Sequence, residues 1–258
     1  MNSLSFNPKF LWSSLLMLAL LSSCGARKPY EVVSVKGSRE MITDKYDKHP
    51  DKAMAAFVSQ YKVKLEKEMN VKVATSDQEM SIGQPESLLT NFTSDQMKRF
   101  GDEKTGESCI AVMNLHGHRA SMPKGVVTLE NMYEIYSFDN KLVLLKLKGS
   151  DLTKLFESYI RMGGSGTSSN VRLVGIGKQL KSALVDGRPV DPNKIYTIVT
   201  LDYLAGGNDG MDVLRSAVST EATDVVLRDM MIDYVKSQTK AGKNIRSVLD
   251  GRIIITNS

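Results

Sequence analysis

The chain has 258 residues, a net charge of +5, 41% apolar and 24% charged residues, two cysteines and three histidines. That length allows one large domain or two small ones, with enough apolar residues for a core that needs no staples. The lysines are scattered and no aromatic-basic stripe accompanies them, which argues against a nucleic-acid surface and for a solvated lysine face.

The N-terminal segment is read apart from the core. Lys9 precedes an apolar run, Phe10 to Leu21, which has the length of a signal-peptide core and is too short to span a bilayer. The run ends in Leu21-Ser22-Ser23-Cys24. This resembles the lipobox of bacterial lipoproteins and implies a signal peptide over 1–23, lipidation of Cys24 and a polar tether over 24–50. The alternative is an ordinary signal peptide with an incidental cysteine. With Cys24 acylated, Cys109 has no intrachain disulfide partner. It lies in the apolar run "SCIAVMN" and reads as a small buried hydrophobe rather than a nucleophile.

From Asp51 to Asn70 the apolar residues fall close to helical spacing, predicting a helix, and "VKVATSD" (71–77) predicts a strand. Pro85 to Phe100 predicts a second helix, "CIAVMN" (109–114) a buried strand, and Leu129 to Ile135 a short helical turn. "KLVLLKLKG" (141–149) alternates as a strand does. A helix over Ser150 to Ile160 follows, with Ser150 as its expected N-cap, and "GGSGTSS" (163–169) is expected to be a flexible loop. Two strands meet at Asp186-Gly187, a type I′ hairpin signal because both central positions need positive φ. "KIYTIVTLDYL" (194–204) predicts a strand, Thr223 to Ser237 a helix, and "GRIIITNS" a closing strand. Mixed helices and strands with hairpins give an α+β domain from about residue 51 to 258, with mixed or antiparallel sheets.

Several motifs now fall in one order. "YTIVTLDYLAGGNDGM" (196–211), "NLHGHR" (114–119) followed by "GVVTLENMYEIYSFDNKLVLLKLKGSDL", and "LVDGRPVDPNKIY" (184–196) together resemble the C-terminal domain of the 5′-nucleotidase family, the substrate-recognition half of those enzymes. Weaker similarity runs from the helix near Asp51 to "DGRI" (250–253), so the resemblance covers nearly the whole chain beyond the tether.

The resemblance implies mixed β-sheets flanked by helices, in an α/β/β/α-like layering, and a site for the nucleoside part of a nucleotide. By position in the motifs, Phe138 and Tyr203 would sandwich the base, Asp209 would accept from the ribose hydroxyls, and Asn114 and Arg119 would face the ligand. Two aromatic faces suit a flat base, a carboxylate suits vicinal hydroxyls, and a guanidinium presents a rigid fork of donors. Read from the residues alone, the same aromatics could be core, Asp209 could cap its own turn, and Arg119 could be a surface ion pair. His116 and His118 stand where the family motif has glycine and isoleucine, Ser137 and Asp139 where it has proline and glycine around the phenylalanine. Asn208 shifts Asp209 by one residue from the glycine pair.

The family's dimetal motifs are not found. The three histidines are His49, His116 and His118, in no such context. On a strand His116 and His118 would share a face, but no further histidine or cysteine cluster supports a zinc site. No metal or cofactor is therefore expected in this chain. The expected function is the nucleoside- or nucleotide-binding half of a split 5′-nucleotidase at the bacterial cell envelope, lipid-anchored and facing the periplasm or the surface. A separate metallophosphoesterase subunit would carry the divalent metals. The alternative is a non-catalytic binding or scaffold lipoprotein.

Overall fold

The computed structural model describes Tyr30 and residues 32–257, so the expected signal segment and Cys24 lie outside the described residues. The chain divides into two compact units, Met1–Met54 and Ala55–Ser258. The described part of the first is exposed, with one 3-10 turn over Asp44–Tyr46, where Glu40 accepts from Tyr46 Oη and Lys45 Nζ.

Helix α1 (Lys52–Met69) forms as its periodicity predicts, but none of its residues is buried. The folded body follows it. In chain order this body contains β1 (Lys72–Ser76), α2 (Leu88–Thr105), β2 (Ile110–Met113), β3 (Gly125–Thr128), α3 (Leu129–Ile135), β4 (Lys141–Lys148) and α4 (Gly149–Arg161). Next come β5 (Gly166–Thr167), β6 (Val171–Ile176), β7 (Gln179–Val185), β8 (Arg188–Pro189), β9 (Ile195–Leu201) and α5 (Asp202–Ala205). The chain closes with β10 (Ser219–Val226), α6 (Leu227–Lys240) and β11 (Ile253–Thr256). The strands make three sheets: β1-β3, the five-stranded β10-β4-β9-β2-β5, and the four-stranded β11-β6-β7-β8. Both larger sheets mix parallel and antiparallel pairs, with β2 parallel to β9 and β11 parallel to β6. This is the mixed-sheet α+β architecture that the motifs implied.

The central strand β9 is buried from Tyr196 to Leu201, so both faces of the sheet are covered. A Cβ on Gly101 of α2 would lie 2.3 Å from Val199 Cγ2, and one on Gly149 of α4 would lie 3.1 Å from Tyr196 Cε2. Residues 196 and 199 point to opposite faces of a strand, so α2 and α4 cover the two sides. Helix α4 also packs on β7, which places it between the two larger sheets. Cys109 is fully buried beside α2, and burial raises its thiol pKa, in line with its reading as a core residue.

Several elements differ from the sequence expectations, some for local and some for tertiary reasons. Helix α2 starts at Leu88, capped by Ser87, whose hydroxyl accepts from Thr90 N, and runs on to Thr105 before Gly106 turns left-handed. Ser150 is not an N-cap: α4 begins at Gly149, whose N–H donates to Lys194 O (2.8 Å), while Ser150 N donates to Pro192 O (3.1 Å). The 192–194 loop thus satisfies the first helical donors that a side-chain cap would serve. Thr223 to Val226 is strand, not helix, because it continues β10 along β4 across a break in register, with Thr223 Oγ1 donating to Leu142 O and Val226 paired with Lys141; only from Leu227 does α6 run. The strand expected to reach residue 204 stops at Leu201, where Asp202 accepts from Tyr203 N at 2.7 Å and opens a helical turn. The expected loop at 163–169 contains β5, held against β2 through Val112↔Thr167. Strand β3, which carried no separate expectation, pairs with β1. At the β7–β8 hairpin, Asp186 (φ 51°) and Gly187 (φ 73°) take the two positive φ values that a type I′ turn requires.

Candidate binding site

The C-terminal ends of β2 and β9, the start of β4 and the turn at α5 come together at one end of the five-stranded sheet. Asn114 directly follows β2, Phe138 and Asn140 lie between α3 and β4, Tyr203 sits in α5, and Asp209 is in the turn beyond it. All five residues expected from the motifs, Asn114, Arg119, Phe138, Tyr203 and Asp209, line one cavity of about 270 Å³. His116, Gly117 and Asn140 complete its wall.

Asp209 is the centre of the site. Its Oδ2 accepts from Asn114 Nδ2 at 2.6 Å, and its Oδ1 accepts from Tyr203 Oη at 3.1 Å. An ionised carboxylate offers about four lone-pair positions, so two remain for a ligand. The carboxylate raises the pKa of the Tyr203 phenol by accepting its proton in the hydrogen bond. Asp209 holds φ at +54°, a region that Asp and Asn tolerate better than other non-glycine residues. The turn is braced on both sides. Asn208, the residue that lengthens the motif, donates from Nδ2 to Tyr203 O at 2.7 Å, and Arg215 Nε donates to Gly206 O at 2.7 Å. Gly207 has φ +82°, and a Cβ there would lie 2.4 Å from Arg215 Nε. The inserted asparagine therefore ties the aromatic to the acid.

The 114–119 segment is built around His118. Its ring is buried, with Nε2 at 2.8 Å from Thr93 Oγ1, which is also 2.8 Å from Tyr136 Oη and donates to Leu89 O at 3.0 Å. Burial holds the imidazole pKa down at about 4, so the ring is neutral near pH 7. His118 and His116 do not act as a pair: His118 is in the core, whereas His116 is exposed at the cavity wall. Gly117 lies against Asn114, where an added Cβ would be 2.7 Å from Oδ1. That Oδ1 is buried and has no hydrogen-bond partner. Arg119 anchors its backbone N–H on Ile135 O at 3.0 Å, and its side chain is exposed, with no ion pair among the described residues.

Phe138 and Tyr203 are 48% and 45% exposed, so neither is a core aromatic. The backbone beside each is braced, at Tyr203 by Asn208 and at Phe138 by the residue that follows it. Asp139, where the motif has glycine, pairs with Arg228, whose guanidinium also donates to Tyr136 O at 3.1 Å and stacks 4.4 Å from the Tyr133 ring centroid. The sequence reading set His116 at the site, as a residue that narrows it or adds a donor, but not among the binding residues, and it missed Asn140 altogether. Both stood in the quoted motifs, and only their position in space marks them as lining residues.

The site offers exposed aromatic faces, a fixed carboxylate and a guanidinium around one cavity, the constitution of a binding site for a planar polar ligand. Among the described residues no group of three or more His, Cys, Asp or Glu is placed to hold a metal ion.

Comparison with known proteins gives this fold its class. The family model described as the 5′-nucleotidase C-terminal domain matches residues 70–216, more than half of the chain. The chain belongs to that family. Its relatives include protein UshA of Yersinia enterocolitica, 32% identical over 145 residues, covering 54% of this chain and 25% of that protein. Another is the trifunctional nucleotide phosphoesterase YfkN of Bacillus subtilis, 24% identical over 216 residues, covering 76% of this chain and 14% of that protein. The crystal structure of a 5′-nucleotidase precursor from Thermus thermophilus superposes with a TM-score of 0.69 at 26% identity, covering 81% of this chain and 44% of that one. The chain thus spans a quarter or less of these two relatives and under half of that solved structure.

Proposed function

We propose that the cavity binds the nucleoside portion of a nucleotide. The base stacks on Phe138 and Tyr203, the ribose hydroxyls donate to Asp209, and Arg119 supplies donors at the rim. The observation that carries this reading is the Asp209 carboxylate, oriented from both sides by Asn114 and Tyr203 with an exposed aromatic face beside it. Each base–aromatic stack contributes about 1–3 kcal/mol. Asn114 contributes by orienting Asp209, to which its Nδ2 already donates.

In the same reading the chain is the recognition half of a split 5′-nucleotidase, and a separate metallophosphoesterase chain holding divalent metals hydrolyses the phosphate monoester. Support comes from family membership without a metal cluster among the described residues. The apolar run before Cys24 supports lipid anchoring at the cell envelope through that cysteine. Calorimetry with adenosine and AMP tests the binding step. Assay of AMP hydrolysis by the metal-bearing chain, with and without this protein, tests the split enzyme; no gain on mixing would overturn it. One observation favours a non-catalytic binding lipoprotein: His116 replaces a motif glycine at the cavity wall. Nucleoside binding with no effect on hydrolysis is the result that would select it.

A further inference from the structure

A second cavity, about 310 Å³, adjoins the first and shares three of its lining residues, Asn114, His116 and Asp209. Beyond this seam its wall differs in chemistry. Met162 (40% exposed) and the buried Met211 contribute thioethers, and Gln84, Gly164 and Ser165 contribute polar groups, of which Gln84 Nε2 and Ser165 Oγ are already engaged. Gln84 Nε2 donates to Met162 O at 2.7 Å, and Ser165 Oγ donates to Met113 O at 2.7 Å. Gly164 packs so close to Pro85 that an added Cβ would lie 2.1 Å from the Pro85 carbonyl oxygen, so only glycine fits at this part of the wall. No lysine or arginine lines the second cavity, and the acid that does is Asp209. A phosphate placed there would meet a carboxylate and no fixed cation.

Resting on the nucleoside reading above, we propose that the second cavity receives an uncharged organic group carried on the 2′- or 3′-oxygen of the ribose. The ribose hydroxyl edge faces Asp209, and Asp209 lies on the seam between the cavities. A substituent on that edge therefore passes over the seam toward Met162 and Met211. Asp209 loses little by this, since one remaining hydroxyl can still donate to a carboxylate whose other positions are held by Asn114 and Tyr203. The polarizable methionine lining suits an aromatic or alkyl group. The ligand class is a ribonucleoside esterified or alkylated at the hydroxyl edge, its 5′ end left outside.

The test compares adenosine with its 2′(3′)-O-(N-methylanthraniloyl) ester, by calorimetry and by the ester's fluorescence, using the full chain. Burying an aromatic group of this size is expected to tighten binding about tenfold or more, with emission rising and then falling as adenosine displaces the ester. Met162→Asp should weaken the ester more than it weakens adenosine. An ester that binds no tighter than adenosine, or adenosine 3′-phosphate binding tighter than both, overturns the proposal. Adenosine producing no heat at all, with the ester equally silent, overturns the nucleoside reading itself, and the two failures are thereby told apart.

Discussion

Asn114 Nδ2 donates to Asp209 Oδ2 across 2.6 Å of space and 95 residues of sequence. The bond joins the end of β2 to the turn after α5 and fixes the one carboxylate of the cavity. Asp209→Asn keeps the shape and removes the charge. A hydrogen bond to a charged group contributes about 1.5–3 kcal/mol, so nucleoside affinity should fall roughly 10- to 100-fold in calorimetry, with little change in the urea midpoint.

Gly117→Ala tests the orientation of that pair. The new Cβ would lie 2.7 Å from Asn114 Oδ1, within a contact that real Cβ atoms do not show. Asn114 must turn, and Asp209 loses its donor. Binding should weaken about as much as in Asn114→Ala, and the double variant Gly117→Ala/Asn114→Ala should add little to either, since both act through one contact.

Tyr203 has two separable tasks. Tyr203→Phe removes the hydroxyl that Asp209 accepts from and retains the face, so affinity should drop only a few-fold. Tyr203→Ala removes the face too and should cost a further 1–3 kcal/mol or so, read as the change in Kd. Equal effects from the two variants would show that the ring does not stack.

His118 makes stability fall in acid. Its folded pKa is depressed to about 4, below the ordinary 6.5, because burial penalises the charged ring. The unfolded chain therefore takes up a proton that the folded chain refuses. The stabilising effect is complete above pH 6.5 and is lost as pH falls from there through about 4, by roughly 3 kcal/mol at the limit. Thermal unfolding at pH 7.5 and pH 4.5 should show the loss, and His118→Gln should reduce the pH-dependent part of it.

Arg252 is 1% exposed and bonds Asp95 (3.0 and 3.1 Å), Asp250 (3.1 Å) and Thr167 O (2.8 Å). It ties the C-terminal strand to α2 and β5. Arg252→Met leaves acids without their cation, and breaking a buried pair in this way costs about 3–5 kcal/mol. The urea midpoint should fall accordingly, while the cavity, on another part of the sheet, keeps its ligand under native conditions.

Much of the fold was legible because local patterns agreed with tertiary need. The apolar runs of β2, β4 and β9 and the Asp186-Gly187 hairpin carry their own signals, as does the helical spacing of α1 and α4. Several of the errors lie where a neighbour overrules the local pattern. Thr223 to Val226 became strand because β10 continues along β4, Ser150 lost its capping role because the 192–194 carbonyls took the helix donors, and β3 formed only with β1 beside it.

The site divides in the same way. By itself the sequence determined which residues belong together, because motif order names Asn114, Arg119, Phe138, Tyr203 and Asp209, and these do line one cavity. Only the tertiary structure decided what surrounds them. It turned Asn208 from an interruption into a brace on Tyr203, separated His118 into the core from His116 at the wall, and set a methionine-lined cavity beyond Asp209. The physical reason is that spacing along a chain fixes local geometry, whereas burial, pKa and cavity shape depend on residues brought together from distant segments.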